Sequence, residues 1–324
     1  MTTATMEPLP APMPAPAPRP AREVYRDTLA GLLAQDERLT CLDSDTGLFS
    51  GVDWGAAAGR YINLGIAEQN MMGAAAGLAR SGRIPYVNTM ATFAATRAVE
   101  AVKLDIALNN LPVRIAATHA GLSAGHLGST HHSLEDLAVM RLLPNMTVLV
   151  PADAAATEEL VRASVDLPGP VYLRLGRGGT PDLGPDLPPL RIGEAQRLRD
   201  GDDVTLIATG PYPVLLALEA AAELAAHGIE AGVLNMHTVK PLDTEAVHAA
   251  ARATRHIVTV EEHWAAGGLG SAVAETVAER GPGCRVSRVA VPDAFAAGHG
   301  GQTHLLERNG ITREAIVDRV RAAR

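Results

Sequence analysis

One carboxylate in this chain is well placed to do chemistry, because it lies at the start of a helix. Residues 61–64 have the aromatic and β-branched content of a strand end, Gly65 interrupts them, and the apolar residues that follow repeat with helical spacing. This pattern places Glu68 in the first helical turn. The helix dipole favours an acid there whatever its function, so a purely structural charge is the competing interpretation.

A histidine-rich loop is the second candidate. Four histidines lie between positions 119 and 132: His119, His126, His131 and His132. His119 ends a predicted strand, a glycine-rich loop follows, and Ser133 with Asp136 predicts a capping box for the next helix. Imidazoles beside a helix N-terminus suit an anionic substrate such as a sugar phosphate. A metal site is the less favoured alternative, because the spacing is not compact and the loop contains no acids.

One aromatic residue and two arginines are further candidates. Phe93 follows a predicted strand and can stack on a flat heterocycle, although an isolated Phe is more often a core residue. Arg97 follows one helical turn later, and a solvated or ion-paired role is at least equally favoured. Arg174 lies on the last strand of the first half of the chain, where its guanidinium suits either two phosphate oxygens or a structural salt bridge.

Helical and strand-like segments alternate along the chain, which predicts α/β domains with mostly parallel sheets and helices on both faces. The first such domain is expected over residues 21–179. A stretch dense in Pro and Asp predicts a linker, which we place at residues 180–200. A second, smaller alternating set predicts another doubly wound domain over residues 201–324. Loops at the carboxyl ends of parallel strands bind ligands in such folds.

Composition narrows the classes of function. The chain has 324 residues and a net charge of -8, so it offers no basic surface for nucleic acid. No apolar run approaches the roughly 18 residues of a membrane span. Cys41 and Cys284 lack metal or redox spacing and are expected to be reduced, in a cytoplasmic protein. Residues 1–20 are rich in Pro and Ala, lack the apolar core of a signal peptide, and are expected to form a disordered tail.

Three stretches carry a resemblance to a known family. They are YINLGIAEQNMMGAAAGLA at residues 61–79, VLNMHTVKPLD at 233–243 and TVEEHWAAGGLGSAVAE at 259–275. With the order of the elements, they make the chain resemble transketolases from about Arg22 to its end. The resemblance implies a pyrimidine-binding domain for thiamine diphosphate, followed by a transketolase C-terminal domain. This layout is similar to that of the second subunit of a split transketolase.

The resemblance also implies roles for individual residues. Glu68 would hydrogen-bond the aminopyrimidine ring of thiamine diphosphate and so activate the cofactor. Phe93 would stack on that ring, and Ile66 would contact the cofactor. His119 and His131 match two substrate-facing histidines, and they are therefore assigned catalytic and substrate-binding roles.

The remaining implied substrate contacts are arginines. Arg174 matches the family's phosphate-binding arginine, Arg22 aligns with another phosphate contact through a weaker motif, and Arg97 matches the split-subunit pattern. Leu127 departs from the family, which commonly has an Asp there that contacts a sugar hydroxyl. Because leucine cannot accept that hydrogen bond, we expect a specialised substrate rather than a housekeeping pentose phosphate. The effect of His126, beside it, is left open.

The chain is expected to supply only half of an active site. The domain that binds the diphosphate through a metal carries a G-D-G pattern followed by an Asn in this family. Residues 201–203 do not fulfil that pattern, because they precede a strand of the second domain. A separate subunit would therefore hold Mg²⁺ and the diphosphate, and no metal ligand is assigned to this chain. Since the cofactor would bridge two chain types, an α2β2 heterotetramer is expected.

The activity implied by the resemblance is transfer of a two-carbon ketol unit from a ketose phosphate donor to an acceptor, in a specialised pathway. Two enzyme alternatives share the fold: the β subunit of a 2-oxo-acid dehydrogenase and a deoxyxylulose-phosphate synthase. The strings G-I-A-E-Q-N-M and H-A-G-L-S favour the transketolase side. A non-catalytic regulatory subunit is the alternative of another class, and the intact Glu68 and Phe93 argue against it.

Overall fold

The computed structural model describes residues 18–185, 187–280 and 283–323, which form two α/β domains. Each domain is built on its own mostly parallel sheet, so the predicted fold of two doubly wound domains is confirmed. Most of the predicted tail lies outside the described residues. Within its described part, Pro20 forms a bridge with Gly179.

The first domain contains a seven-stranded sheet. Six of its strands are β1 (Leu39–Asp43), β2 (Tyr61–Asn63), β3 (Ile84–Met90), β4 (Arg114–Thr118), β5 (Thr147–Leu149) and β6 (Val171–Arg174). These six strands run parallel to one another. The seventh, β10 (Thr238–Lys240), comes from the second half of the chain and pairs antiparallel with β5. The spatial order is β10-β5-β6-β4-β3-β1-β2.

Helices cover both faces of this sheet. They are α1 (Ala21–Gln35), α2 (Glu68–Arg80), the single turn α3 (Val99–Ala101), α4 (Asp136–Leu142) and α5 (Ala154–Ser164). Helices α1 and α5 pack on one face through residues such as Leu29 and Leu160, and α2 packs on the other through Met71 and Met72. In α2 the buried residues recur at three- and four-residue spacing, so this helix presents one apolar stripe to the sheet.

The segment after β3 differs from the regular helix that its sequence predicts. Two π-helical stretches, Phe93–Arg97 and Val102–Ala107, flank α3. Such stretches are rare and occur frequently at functional sites. The first of them carries both Phe93 and Arg97, so the deviation falls on two candidate site residues.

The second domain contains a five-stranded sheet in the order β12-β11-β8-β9-β7. Its strands are β7 (Gln196–Arg199), β8 (Val204–Thr209), β9 (Ala231–Asn235), β11 (His256–Trp264) and β12 (Arg285–Val291). Its helices are α6 (Pro211–Ala225), α7 (Thr244–Ala253), α8 (Leu269–Arg280), α9 (Gln302–Arg308) and α10 (Arg313–Arg321). Helices α6 and α10 pack on one face and α7 and α8 on the other.

The boundary between the domains differs from the predicted one. Residues 196–199, which fall inside the predicted linker at 180–200, form β7 and pair antiparallel with β9. Strand β10 returns to the first sheet, so the two halves of the chain share a sheet. In the part of the chain that the structure describes, no helix is both long and apolar enough to cross a bilayer.

Candidate active site

The carboxyl ends of the parallel strands of the first sheet meet at one edge, and the main candidate residues follow those ends. Glu68 comes after β2, Phe93 after β3 and His119 directly after β4. Ligands bind at this edge in doubly wound folds. The sheet therefore brings together residues that are far apart in the sequence.

A cavity of about 490 Å³ opens at this edge. Its lining includes Asp45, Ile66, Glu68, Phe93, Arg97 and His131. All of these except Asp45 are predicted site residues. Sequence reasoning missed Asp45, which has a φ of +61°. Positive φ is uncommon outside glycine, and residues with this backbone conformation cluster at functional sites. Asp45 follows the end of β1, so its carboxylate is a further candidate site group.

Glu68 is the first residue of α2, and its side chain is only 2% exposed. Its Oε2 accepts a hydrogen bond from Arg97 Nη1 at 3.0 Å. Within the described residues, Oε1 has no hydrogen-bond partner. A second cavity of about 690 Å³ also touches Ile66, Glu68 and Arg97. The carboxylate thus has one oxygen fixed by Arg97 and one oxygen free, between two cavities.

Phe93 links the arginine to the histidine loop. The guanidinium carbon of Arg97 lies 4.5 Å from the Phe93 ring centroid, a cation–π distance. On its other side, the ring meets His131 edge-on at 5.5 Å between centroids. His131 is held by its neighbour Thr130, whose Oγ1 is 2.9 Å from His131 Nδ1. Glu68, Arg97, Phe93 and His131 therefore form one continuous set of contacts along the cavity wall.

His119 lies apart from that set, beside a group of cationic side chains. It is 6% exposed, has a φ of +58°, and its Nδ1 is 3.0 Å from Thr118 Oγ1. Burial, together with the positive charges of Arg22 and Arg177, lowers the pKa of His119 to about 4. Its imidazole is therefore neutral at pH 7 and can donate or accept a hydrogen bond, but it carries no charge.

Arg177 lies close enough to Arg22 to disfavour the positive charge of the Arg22 guanidinium. Burial and the nearby Arg177 lower the pKa of the Arg22 guanidinium. The nearest acid to Arg22 is Glu23, at 4.0 Å, and Arg22 Nε is buried without a hydrogen-bond partner. No ion pair involves Arg177 in the described part of the chain. Two half-buried arginines with one distant acid between them form an anion-binding environment.

Sequence reasoning missed Arg177 and selected Arg174, three residues earlier. The Arg174 side chain is 5% exposed and forms a two-pronged ion pair with Asp136, with Nε–Oδ2 at 2.8 Å and Nη2–Oδ1 at 3.0 Å. Its Nη2 also donates to the backbone oxygen of Glu262 at 2.9 Å. These contacts are those of a structural salt bridge, which the sequence analysis gave as the alternative to phosphate binding. They give no support to phosphate binding by Arg174.

The predicted capping box of Ser133 and Asp136 is wrong, because Asp136 pairs with Arg174 instead. Helix α4 begins at Asp136 without a side-chain cap, the Asp136 carboxylate is engaged by Arg174, and Ser133 Oγ has no hydrogen-bond partner. In the histidine-rich loop, Leu127 is 40% exposed, so its apolar side chain is open to solvent. Within residues 18–185, 187–280 and 283–323, no cluster of His, Cys, Asp or Glu is arranged to hold a metal ion.

Both domains match known family profiles. The profile described as "Transketolase, pyrimidine binding domain" matches residues 18–181, and "Transketolase, C-terminal domain" matches residues 193–316. The chain belongs to the transketolase family. The resemblance inferred from the sequence is confirmed, and this family generally uses thiamine diphosphate with a divalent metal.

Several relatives are subunits of split enzymes. An apulose-4-phosphate transketolase subunit of Phocaeicola vulgatus is 39% identical over 298 residues, which cover 91% of this chain and 94% of the relative. A 6-deoxy-6-sulfo-D-fructose transketolase subunit of Clostridium sp. is 41% identical over 299 residues, 91% of this chain and 92% of the relative. A solved "Split gene transketolase, inactive beta4 tetramer" is 44% identical, with a TM-score of 0.85, covering 94% of this chain and 98% of that one.

Proposed function

We propose that this chain is the second subunit of a split transketolase and transfers a two-carbon ketol unit from a ketose donor to an acceptor, in complex with a separate first subunit. The observation that carries the proposal is the single cavity lined by Glu68, Phe93 and His131. A carboxylate, an aromatic ring and an imidazole in one cavity provide the groups needed to orient a heterocyclic cofactor and to move protons beside it.

The residues of this cavity fit the pyrimidine end of thiamine diphosphate. Glu68 Oε1 is free to accept a hydrogen bond from a protonated ring nitrogen, while Arg97 fixes the other oxygen. Phe93 presents an aromatic ring at the same wall, and Ile66 lies where an apolar contact with the cofactor is possible. When bound, the cofactor supplies an electron sink for carbon–carbon bond cleavage. The role of Glu68 is to hold the pyrimidine ring in the protonation state that this chemistry needs.

The charged end of the donor is assigned to Arg22 and Arg177 rather than to Arg174. Among the described residues Arg177 forms no ion pair and Arg22 has only a distant one, with Glu23 at 4.0 Å, whereas Arg174 forms a close ion pair with the buried Asp136. The neutral His119 beside them is suited to hydrogen-bonding a sugar hydroxyl or carbonyl. The two curated relatives are named for a phosphate and a sulfonate sugar, and both groups are anions that an arginine pair can bind.

The face beside Glu68 is suited to docking the partner subunit. Ile66 is 75% exposed, Leu104 44% and Leu108 72%. Leu104 lies in the π-helical stretch Val102–Ala107, and Leu108 directly follows that stretch. An exposed apolar group at the edge of a half-built site is expected where a second subunit completes the site. That subunit would hold Mg²⁺ and the diphosphate, in an α2β2 assembly.

Turnover by the reconstituted complex tests the proposal. The chain is mixed with a first subunit that carries the G-D-G pattern and Asn, with thiamine diphosphate, Mg²⁺, a ketose phosphate and an aldehyde acceptor. We expect a product two carbons longer than the acceptor, and no decarboxylation of a 2-oxo acid. Decarboxylation without ketose cleavage would indicate a 2-oxo-acid dehydrogenase-type subunit, and an assembled complex with neither activity would indicate a regulatory subunit.

A further inference from the structure

The loop that carries the substrate-facing histidines is fastened to the second domain. We call residues 119–133 the substrate loop. At the base of this loop, Gly121 and Ser133 exchange two backbone hydrogen bonds, at 2.9 and 3.0 Å. The loop contacts the second domain at Glu262 of β11 and at residues 296–302.

Glu262 makes the central contact. Its side chain is almost fully buried, and Oε1 accepts a hydrogen bond from Leu122 N at 2.5 Å. Gly121, with a φ of +62°, lies so close that a Cβ there would be 2.5 Å from Glu262 Oε1. Only glycine satisfies both the backbone angle and this approach. The carboxylate and the loop backbone are therefore in direct contact.

Gln302 holds that carboxylate from its other side. Gln302 Nε2 lies 3.0 Å from Glu262 Oε1 and 2.9 Å from Oε2. Burial raises the pKa of Glu262, whereas Arg174, the Leu122 amide and Gln302 favour its charged form. Two donors from different segments on one buried carboxylate fix its position.

Two further contacts continue the attachment along the loop. Gly300 N donates to Gly125 O at 3.0 Å, and a Cβ on Gly125 would be 2.5 Å from Gly300 O. Ser129 Oγ donates to Ala296 O at 2.8 Å. Among the described residues, none of the second domain lines the cavity that contains Glu68 and His131. The second domain therefore contacts the substrate loop, which contains His119 and His131, but does not line the cavity that contains Glu68.

We propose that Glu262 and Gln302 are positioning residues for the donor substrate. They fix the position of the substrate loop on the second domain. They thereby fix the positions of His119 and His131 relative to the donor. On this account, positioning that loop is what the second domain contributes to the reaction. The inference rests on the proposed function, but its physical part, the anchoring of the loop, is measurable without turnover.

Kinetics of the reconstituted complex provide one test, with the variants Glu262→Gln and Gln302→Ala. Glu262→Gln removes the negative charge and replaces one carboxylate oxygen by an NH2 donor, so Gln302 loses one of its two acceptors, and Gln302→Ala removes the donor itself. The half-buried Gln302 can be truncated with little risk to folding. We expect kcat/KM for the ketose donor to fall roughly 10- to 100-fold, because loss of a supporting contact or a small misplacement has such effects. The affinity for thiamine diphosphate should change far less, since Glu68 lies outside the substrate loop and Phe93 touches the loop only through its edge-on contact with His131.

The adjacent Glu261 offers a matched control. It lies on the same strand, is also buried, and has its pKa raised by burial. Its carboxylate accepts from Leu269 N at 2.7 Å and Gly270 N at 2.8 Å, both inside the second domain. Glu261→Gln should therefore perturb the second domain without lowering donor kcat/KM. An equal loss in Glu261→Gln and Glu262→Gln, or a matching loss of cofactor affinity, would overturn the positioning role.

Hydrogen exchange of the chain alone tests the anchor independently of the reaction. Amides of residues 119–133 should exchange faster in Glu262→Gln and Gln302→Ala than in the parent chain, and Glu261→Gln should leave them unchanged. Unaltered exchange in both test variants contradicts the inference, even if the complex is active. Faster exchange in a complex that lacks ketol transfer would instead contradict the proposed function and leave the anchor standing.

Discussion

Replacing Glu68 by Gln should lower kcat of the reconstituted complex by roughly 10²- to 10⁴-fold, the range that a positioned acid or base contributes. The substitution keeps the size of the side chain but removes the carboxylate whose Oε1 is free in the cavity. Assembly and melting temperature should change little, because the side chain is not part of the apolar core. Steady-state kinetics at saturating thiamine diphosphate provide the measurement.

Glu100→Gln is the matched control for this change. Glu100 is an exposed acid that lines the larger cavity next to Glu68 but not the one that holds Phe93 and His131. Its loss should alter turnover by roughly twofold or less, as is usual for a surface substitution. If both variants lose activity equally, the effect comes from the charge of this region and not from a specific role of Glu68. Full activity of Glu68→Gln would remove that role altogether.

Replacing Arg177 by Ala should separate donors by their charge. For a phosphorylated ketose we expect kcat/KM to fall roughly 10- to 100-fold, because hydrogen bonds to a charged group contribute about 1.5–3 kcal/mol. An unphosphorylated ketose of the same carbon skeleton should be affected far less. Arg22→Ala should behave in the same way, since both guanidinium groups lie beside His119. Kinetics with the two paired donors measure the effect.

Two other arginines make this test specific. Arg26 lies one turn after Arg22 on α1 and is paired with Asp27 at 2.8 Å, so Arg26→Ala should discriminate no donor. Arg174→Met should lower stability by about 3–5 kcal/mol, because it leaves the buried Asp136 without its counter-ion and with only the Tyr172 hydroxyl as a side-chain donor. Its effect on the two donors should be equal. Selective loss of the phosphorylated donor in Arg174→Met, but not in Arg177→Ala, would restore the assignment made from the sequence.

Much of the fold and part of the site follow from local sequence patterns. The alternation of strands and helices predicts both sheets, and parallel strands bring their carboxyl ends to one edge. For this reason one cavity is lined by Glu68, Phe93 and His131, although these residues are separated by up to 63 positions in the sequence. The break at Gly65 followed by helical spacing predicts Glu68 in the first helical turn, and the structure shows it as the first residue of α2.

The remaining features depend on partners that the sequence does not name. Arg174 ends β6 and Arg177 follows it by three residues, and the sequence does not show that Arg174 is engaged by Asp136 and by two backbone oxygens. The same Asp136 fits a capping-box pattern, but tertiary contact with Arg174 overrides the local preference. The π-helical turn at Phe93 and the return of β10 to the first sheet likewise depend on packing between distant segments.

Binding of thiamine diphosphate is the most direct test of the shared site. Titration calorimetry with Mg²⁺ present should be carried out on this chain alone, on the first subunit alone, and on their equimolar mixture. We expect no measurable binding to this chain alone, and an affinity in the mixture at least about tenfold above that of the first subunit, a difference of ~1.4 kcal/mol. Tight binding to this chain alone, or a mixture that binds no better than the first subunit, would contradict the claim that the cofactor bridges two subunits.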